Sequence, residues 1–362
     1  MRPGSHVQIR DNRTVILDQL DVPIALAPMA GGPSTPELTA AVAEAGGFGQ
    51  LAAGYLSAAD TAARIAATRA ATGKPFGVNL FVPGPPTPPA DLADYLAELG
   101  AEHQLGDPRF DTDDWDAKLD LLVADPVAAV SFTFGCPSAA DIERLHAAGS
   151  EAWVTVTSVA EARFAVEAGA DVLIAQGAEA GGHRATFTDR PADDVTDPLG
   201  LLALLQLLSA ATDLPLVATG GLTTGAGIAA ALAAGATAAQ LGTAFLRCPE
   251  AGTSQVHRAA LTADTPTMLT RAFTGRRARG LRNRFLVRHT ATAPTGYPEI
   301  HYATAPLRAE ARAAGNPEEV NLWAGQTHEL TPELPAGELV STLAADTKAA
   351  LEKALSRRIQ HY

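Results

Sequence analysis

The segment Gln176-Gly177-Ala178-Glu179-Ala180-Gly181-Gly182-His183-Arg184 brings an amide, a pair of glycines and an imidazole close together along the chain. Gln176 offers a neutral donor and acceptor. Gly181 and Gly182 let a flat ring approach the backbone, and His183 can hang over that ring to bind an anion or move a proton. Glu179 and Arg184 read as paired with each other or solvated, without catalytic roles. Two further glycine steps suit a phosphate. In Ala218-Thr219-Gly220-Gly221 and Gln240-Leu241-Gly242-Thr243 the backbone N–H groups are unobstructed, and a helix starting near Thr223 or Thr224 adds its positive end. Thr219 and Thr243 contribute hydroxyls.

Two shorter segments complete the set. Ala27-Pro28-Met29-Ala30-Gly31-Gly32 can place the backbone of Ala27, Pro28 and Met29 along the edge of a flat cofactor. Asn79, in Gly77-Val78-Asn79-Leu80, can hydrogen-bond the heteroatoms of a pyrimidine-like ring. Cys136, in Phe134-Gly135-Cys136-Pro137, reads as a small buried turn residue rather than a redox thiol. Cys248 is the only other cysteine, so neither a disulfide framework nor a four-thiolate metal site is available, and no metal is expected.

These segments need strands to carry them. Apolar or β-branched runs at Pro23–Met29, Phe48–Ala53, Pro75–Val82, Val127–Phe134, Ala152–Thr157, Val172–Gln176, Leu214–Thr219 and Ala238–Leu246 read as eight strands. Between them lie helical stretches. The first is capped by Ser34 or Thr35 and runs through Leu38 and Val42 to Gly46-Gly47; others are Ala58–Ala71, Ala139–Ala148, Val159–Ala168, Leu201–Ala211 and Gly225–Ala234. The third and fourth strands are separated by the Pro-rich Pro83–Pro89 and by helical patterns at Leu92–Glu98 and Trp115–Ala124. Eight such units imply an all-parallel α/β sheet closed into a (β/α)8 TIM barrel. A Rossmann fold is disfavoured, because Ala30-Gly31-Gly32-Pro33 after the first strand does not match G-x-G-x-x-G. In a barrel, reactive residues lie on loops after the C-terminal strand ends and phosphate beyond strands 7 and 8, which is where the segments above fall.

With 362 residues, the chain exceeds the roughly 250 of a plain barrel. We assign 1–250 to the barrel and 251–362 to a C-terminal helical and irregular elaboration that helps to close the site. Its arginine-rich stretch, Arg271 to Arg288, reads as a surface helix and loop with salt bridges. Its last part, Leu339–Ile359, reads as an amphipathic helix packed on the barrel. A formal net charge of -13 argues against nucleic acid or an anionic membrane as partner, so an anionic ligand must be captured locally. No apolar run reaches the roughly 18 to 20 residues of a membrane span, and Met1 to Asp11 lacks the apolar centre of a secretory signal. A cytoplasmic monomer or small homo-oligomer is expected.

Ala-Pro-Met-Ala-Gly-Gly (27–32), Gln-Gly-Ala-Glu-Ala-Gly-Gly-His (176–183), Ala-Thr-Gly-Gly (218–221) and Gln-Leu-Gly-Thr (240–243) resemble, in order and spacing, the nitronate monooxygenase family, formerly called 2-nitropropane dioxygenases. The tail is similar to the first class of that family through Tyr297-Pro298-Glu299-Ile300, Pro306-Leu307-Arg308 and Asn321-Leu322-Trp323-Ala324-Gly325-Gln326. One departure is Ala185, where the family pattern has glycine. The resemblance implies a barrel enzyme holding FMN, without a nicotinamide requirement, that oxidises small nitronates such as propionate 3-nitronate with O2 to carbonyl compounds and nitrite. It places His183 at the flavin as binding residue or general base, with Tyr297, Tyr302 and Arg308 closing the site from the tail. An FMN-dependent NAD(P)H oxidoreductase, such as an enoyl-thioester or quinone reductase, is the alternative, because related barrels share the Gly-Gly-His loop. A non-redox barrel binding a phosphorylated ligand is a more distant one.

Overall fold

The computed structural model describes residues 15–190 and 198–359; the reading of Met1 to Asp11 lies outside them. Eight parallel strands surround one axis: β1 (Ile24–Leu26), β2 (Gly49–Ala52), β3 (Phe76–Phe81), β4 (Ala129–Thr133), β5 (Glu151–Val156), β6 (Val172–Gln176), β8 (Leu216–Thr219) and β9 (Ala238–Leu241). The short β7 (Gly182–His183) belongs elsewhere. Hydrogen-bonded order is β1-β9-β8-β6-β5-β4-β3-β2, and a parallel bridge between Ala25 and Phe48 joins the two ends. The ring is therefore closed, a TIM barrel. Near-continuous burial along these strands follows from helices on the outside and packed side chains within.

Local sequence sets the helices. The helix α1 (Pro36–Glu44) begins where Thr35 Oγ1 accepts from Leu38 N at 3.0 Å, with Pro36 in the first turn. Ser57, Ser138, Ser158 and Thr224 cap α2 (Ala58–Ala71), α5 (Ala139–Ala148), α6 (Val159–Ala168) and α8 (Gly225–Ala233) in the same way. The insertion after β3 holds α3 (Pro89–Gly100) and α4 (Trp115–Ala124), and α7 (Leu201–Ser209) precedes β8. The N-terminal end of the barrel is plugged by Trp153 against Phe48, ring centroids 4.8 Å apart, with Leu17 over them.

Beyond β9 the chain differs from expectation. The eighth strand stops at Leu241 rather than running to Leu246, because Thr243–Phe245 turns into a 3-10 helix. The tail forms α9 (Gln255–Ala260), β10 (Thr267–Thr270), β11 (Ala278–Leu281), α10 (Arg284–His289), α11 (Glu299–Ala303), α12 (Ala305–Ala313) and α13 (Ala336–Ile359). Antiparallel pairing in the order β10-β11-β7 ties it to the loop after β6. The expected closing helix is α13; its Leu339, Val340 and Leu343 pack with Leu38 and Val42 of α1 and Ile228 of α8. Among the described residues no helix is long and apolar enough to cross a membrane.

The arginine-rich stretch is only partly a surface feature. Arg284 and Arg288 pair with Glu319 and Glu102 at the exposed rim, as expected. Arg276 and Arg279 instead are buried, and Arg271 pairs with the half-buried Asp189 at 2.7 Å. The reason is β11, which carries this part of the chain under the loop after β6.

Candidate active site

A cavity of about 470 Å³ opens at the C-terminal ends of the barrel strands. Every residue assigned to the cofactor from sequence lines it: Ala27, Pro28 and Met29 after β1; Asn79 on β3; Gln176 at the end of β6, with Gly181 and Gly182 beyond it; Thr219 at the end of β8, with Gly220 and Gly221 beyond it; Gln240 and Leu241 at the end of β9, with Gly242 and Thr243 beyond it. His183 and Arg308 line it too.

At one end of the cavity the two glycine steps lie side by side. Gly220 has φ +119°, a conformation that a side chain would strain. The N-terminus of α8 follows, with Thr224 Oγ1 accepting from Gly227 N at 3.2 Å. Three polar atoms of cavity-lining residues, Gln240 Nε2, Thr253 Oγ1 and Thr327 Oγ1, are buried and have no hydrogen-bond partner among the described residues. Such atoms are costly unless a ligand satisfies them. Donors, hydroxyls and a helix N-terminus fit the phosphate and polar chain of a mononucleotide cofactor. Thr243 Oγ1 accepts from Gly325 N at 3.0 Å, so this hydroxyl also anchors the tail.

The loop carrying His183 is held from three sides. Gln176 does not leave its amide free in the mouth, because Nε2 donates to the His183 carbonyl at 3.0 Å and Oε1 accepts from Ala185 N at 2.9 Å. Arg184 is neither solvated nor paired with Glu179. Buried, it donates to the carbonyl oxygens of Gln176 and Gly177, while the Glu179 carboxylate accepts from Leu201 N at the start of α7. A Cβ on Gly181 would lie 2.5 Å from the backbone of Ala324 and Gly325, so the tail motif 321–326 closes directly on the glycine pair.

His183 sits in an aromatic box. Its ring centroid lies 5.6 Å from those of Phe134, Tyr297 and Trp323, and Nε2 is 2.9 Å from Thr274 Oγ1. Burial, and then the charges of Arg276 and Arg308, lower its pKa to about 3, so the imidazole is neutral. Arg308, on α12, is buried as well. It donates to the His301 carbonyl at 2.6 Å and to Thr304 Oγ1 at 3.1 Å, and forms no ion pair among the described residues. An uncompensated cation thus faces the cavity of an acidic protein.

The tail tyrosines fall differently. Tyr297 stands behind the cavity wall and donates to the hydroxyl of Tyr55 at 3.0 Å. Tyr302 is not among the cavity-lining residues, and its ring lies under the Arg109 guanidinium at 3.8 Å. Three residues that sequence reasoning passed over line the site instead: Tyr55 after β2, Phe134 after β4 and His301 on α11. Tyr55 (φ 67°) and Phe134 (φ 77°) hold left-handed backbone conformations rare for bulky residues. The rule that barrel chemistry sits after every strand, applied to Gly54-Tyr55 and Phe134-Gly135, would have found both. Cys136 is half-buried, with burial pushing its thiol up to about 12, in keeping with a packing role.

The nitronate monooxygenase family model matches residues 14–346. The chain is 42% identical over 351 residues to nitronate monooxygenase from Pseudomonas aeruginosa, covering 90% of this chain and 96% of the relative. Among solved structures it is similar to nitroalkane oxidase from Streptomyces ansochromogenes, with a TM-score of 0.92 at 49% identity over 94% of this chain and all of that one (100%). FabK from Thermotoga maritima is further away, with a TM-score of 0.75 at 27% identity over 94% of this chain and 97% of FabK. Matched along nearly its whole length, this oxidoreductase belongs to the nitronate monooxygenase family.

Proposed function

We propose that the chain is an FMN-dependent nitronate monooxygenase, oxidising small alkyl nitronates such as propionate 3-nitronate with O2 to carbonyl compounds and nitrite. The observation that carries the reading is one cavity that joins a phosphate-type cradle to a neutral imidazole and a buried, unpaired guanidinium. Gly220, Gly221, Gly242, Thr243 and the α8 N-terminus would hold the phosphate, and Asn79 and Gln240 would meet the polar edge of the ring system. FMN there supplies the electron acceptor that links substrate oxidation to O2.

The protein's own work is binding and orientation. Arg308 draws a small anion into the mouth against the overall negative charge. Neutral His183 adds no charge of its own, and Phe134, Tyr297 and Trp323 pack around its imidazole. Where the substrate is a neutral nitroalkane, the same imidazole is placed to take its α-proton. Residues 1–250 serve as the FMN-binding barrel, and 251–362 close the site through Trp323, His301 and Arg308.

Mass spectrometry of the ligand released by heat tests the cofactor: FMN is expected, and FAD or no flavin after reconstitution refutes it. Anaerobic stopped-flow mixing tests the reaction. Propionate 3-nitronate should reduce the flavin quickly and NADH or NADPH slowly; the reverse order makes the chain a reductase.

A further inference from the structure

We propose that Tyr55 is a substrate-contacting residue, a phenol that donates a hydrogen bond to the oxyanion of the bound nitronate beside the charge of Arg308. The inference rests on the nitronate reading of the site. Tyr55 follows β2 and lines the cavity, as Arg308 does. Because Tyr297 donates to its oxygen at 3.0 Å, the hydrogen of Tyr55 must point elsewhere, and no acceptor for it exists among the described residues. An anion in the cavity is the acceptor that this arrangement lacks.

The ring is fixed for that task. It stacks on His301, centroids 4.1 Å apart with an interplanar angle of 4°, and stands edge-on to Phe81 at 5.5 Å. Its backbone has φ 67°, which costs a bulky residue about 1 kcal/mol or more. A polar clamp maintains the conformation. Asp113 Oδ1 accepts from Tyr55 N at 2.7 Å, and Lys118 Nζ, itself 1% exposed, reaches Asp113 at 2.8 Å and the Ala53 carbonyl at 2.9 Å. A hydroxyl donor and a guanidinium facing one cavity recognise an oxyanion.

The test compares Tyr55→Phe with wild type, both purified with their flavin. Two quantities are measured besides flavin content: kcat/KM for propionate 3-nitronate, and the affinity for nitrate, a planar oxyanion that the enzyme cannot oxidise, by flavin absorbance. Loss of a charge-assisted hydrogen bond should lower both by about tenfold or more, with flavin content unchanged. Wild-type values of both in Tyr55→Phe overturn the inference. If wild type itself does not oxidise nitronates, the functional reading fails, while the nitrate titration still decides whether Tyr55 binds an oxyanion. Tyr297→Phe is the second variant and decides alone if Tyr55→Phe loses its flavin. It keeps the Tyr55 ring but removes the donor that orients its hydrogen, so nitrate should bind more weakly, by about threefold; unchanged binding there overturns the inference.

Discussion

His183 Nε2 lies 2.9 Å from Thr274 Oγ1, and the direction of this hydrogen bond determines what the imidazole can do. Thr274 donates its own hydrogen to the Arg276 carbonyl at 3.2 Å, so its oxygen accepts from Nε2–H. In that arrangement the ring proton is on Nε2, and Nδ1 keeps the lone pair.

A base with that lone pair separates two substrates. His183→Asn should retain its flavin, lose about a hundredfold or more in turnover of a neutral nitroalkane, and lose less with the preformed nitronate. Oxygen uptake with each form of one nitroalkane measures the difference. Equal losses would remove the base role and leave His183 a binding residue.

Stability should rise with pH across the mildly acidic range. Burial, the largest cause for each, lowers His183 to about 3, His257 to about 4 and His301 well below the ordinary value, so all three are neutral when folded. Unfolded, they take up protons below about pH 6.5. The unfolded state then binds more protons, and stability present above that pH is lost progressively as pH falls toward 4. Melting temperatures at pH 7.5 and 5 should differ for wild type and differ less for His257→Gln, which keeps a donor for the Trp323 carbonyl that His257 Nε2 meets at 3.0 Å. An unchanged difference in the variant would count against this account.

The phosphate cradle is best probed at Gly242. A Cβ there meets Ala27 Cβ at 3.4 Å and Met29 Sδ at 3.5 Å, ordinary contacts, so Gly242→Asp should fold while placing a carboxylate in the cavity. Circular dichroism should match wild type and flavin content should fall about tenfold or more through charge repulsion. Gly220→Asp is the harsher change, since φ +119° adds backbone strain. Full flavin occupancy in Gly242→Asp would move the phosphate elsewhere.

The clamp under Tyr55 contains an ion pair between the buried Lys118 and the half-buried Asp113, and breaking one side should be costly. Lys118→Met leaves the Asp113 carboxylate without its cation, a loss of about 3 kcal/mol. Adding Asp113→Asn removes the stranded charge and should restore part of that loss. Urea denaturation of the single and double variants measures both steps, and a double variant no more stable than Lys118→Met would show that the carboxylate is not the source.

The barrel, the order of its strands along the chain and the residues at its mouth are legible in the amino-acid sequence. Those signals are local: alternating strand and helix periodicity, capping residues such as Thr35 and Thr224, and glycine pairs at strand ends. His183 is marked by the Gly-Gly step before it, whereas Arg308 comes only from the resemblance of the tail to the family. How each polar group is used is set only when distant segments pack together. The amide of Gln176 turns to the His183 loop, Arg276 and Arg279 go under β7 rather than to solvent, and Tyr302 lies under Arg109 rather than among the cavity-lining residues. Tyr55 and Tyr297 meet across 242 positions of chain. A side chain's hydrogen-bond partner, and hence its role, depends on which distant segment packs over it, and no periodicity in the sequence encodes that choice.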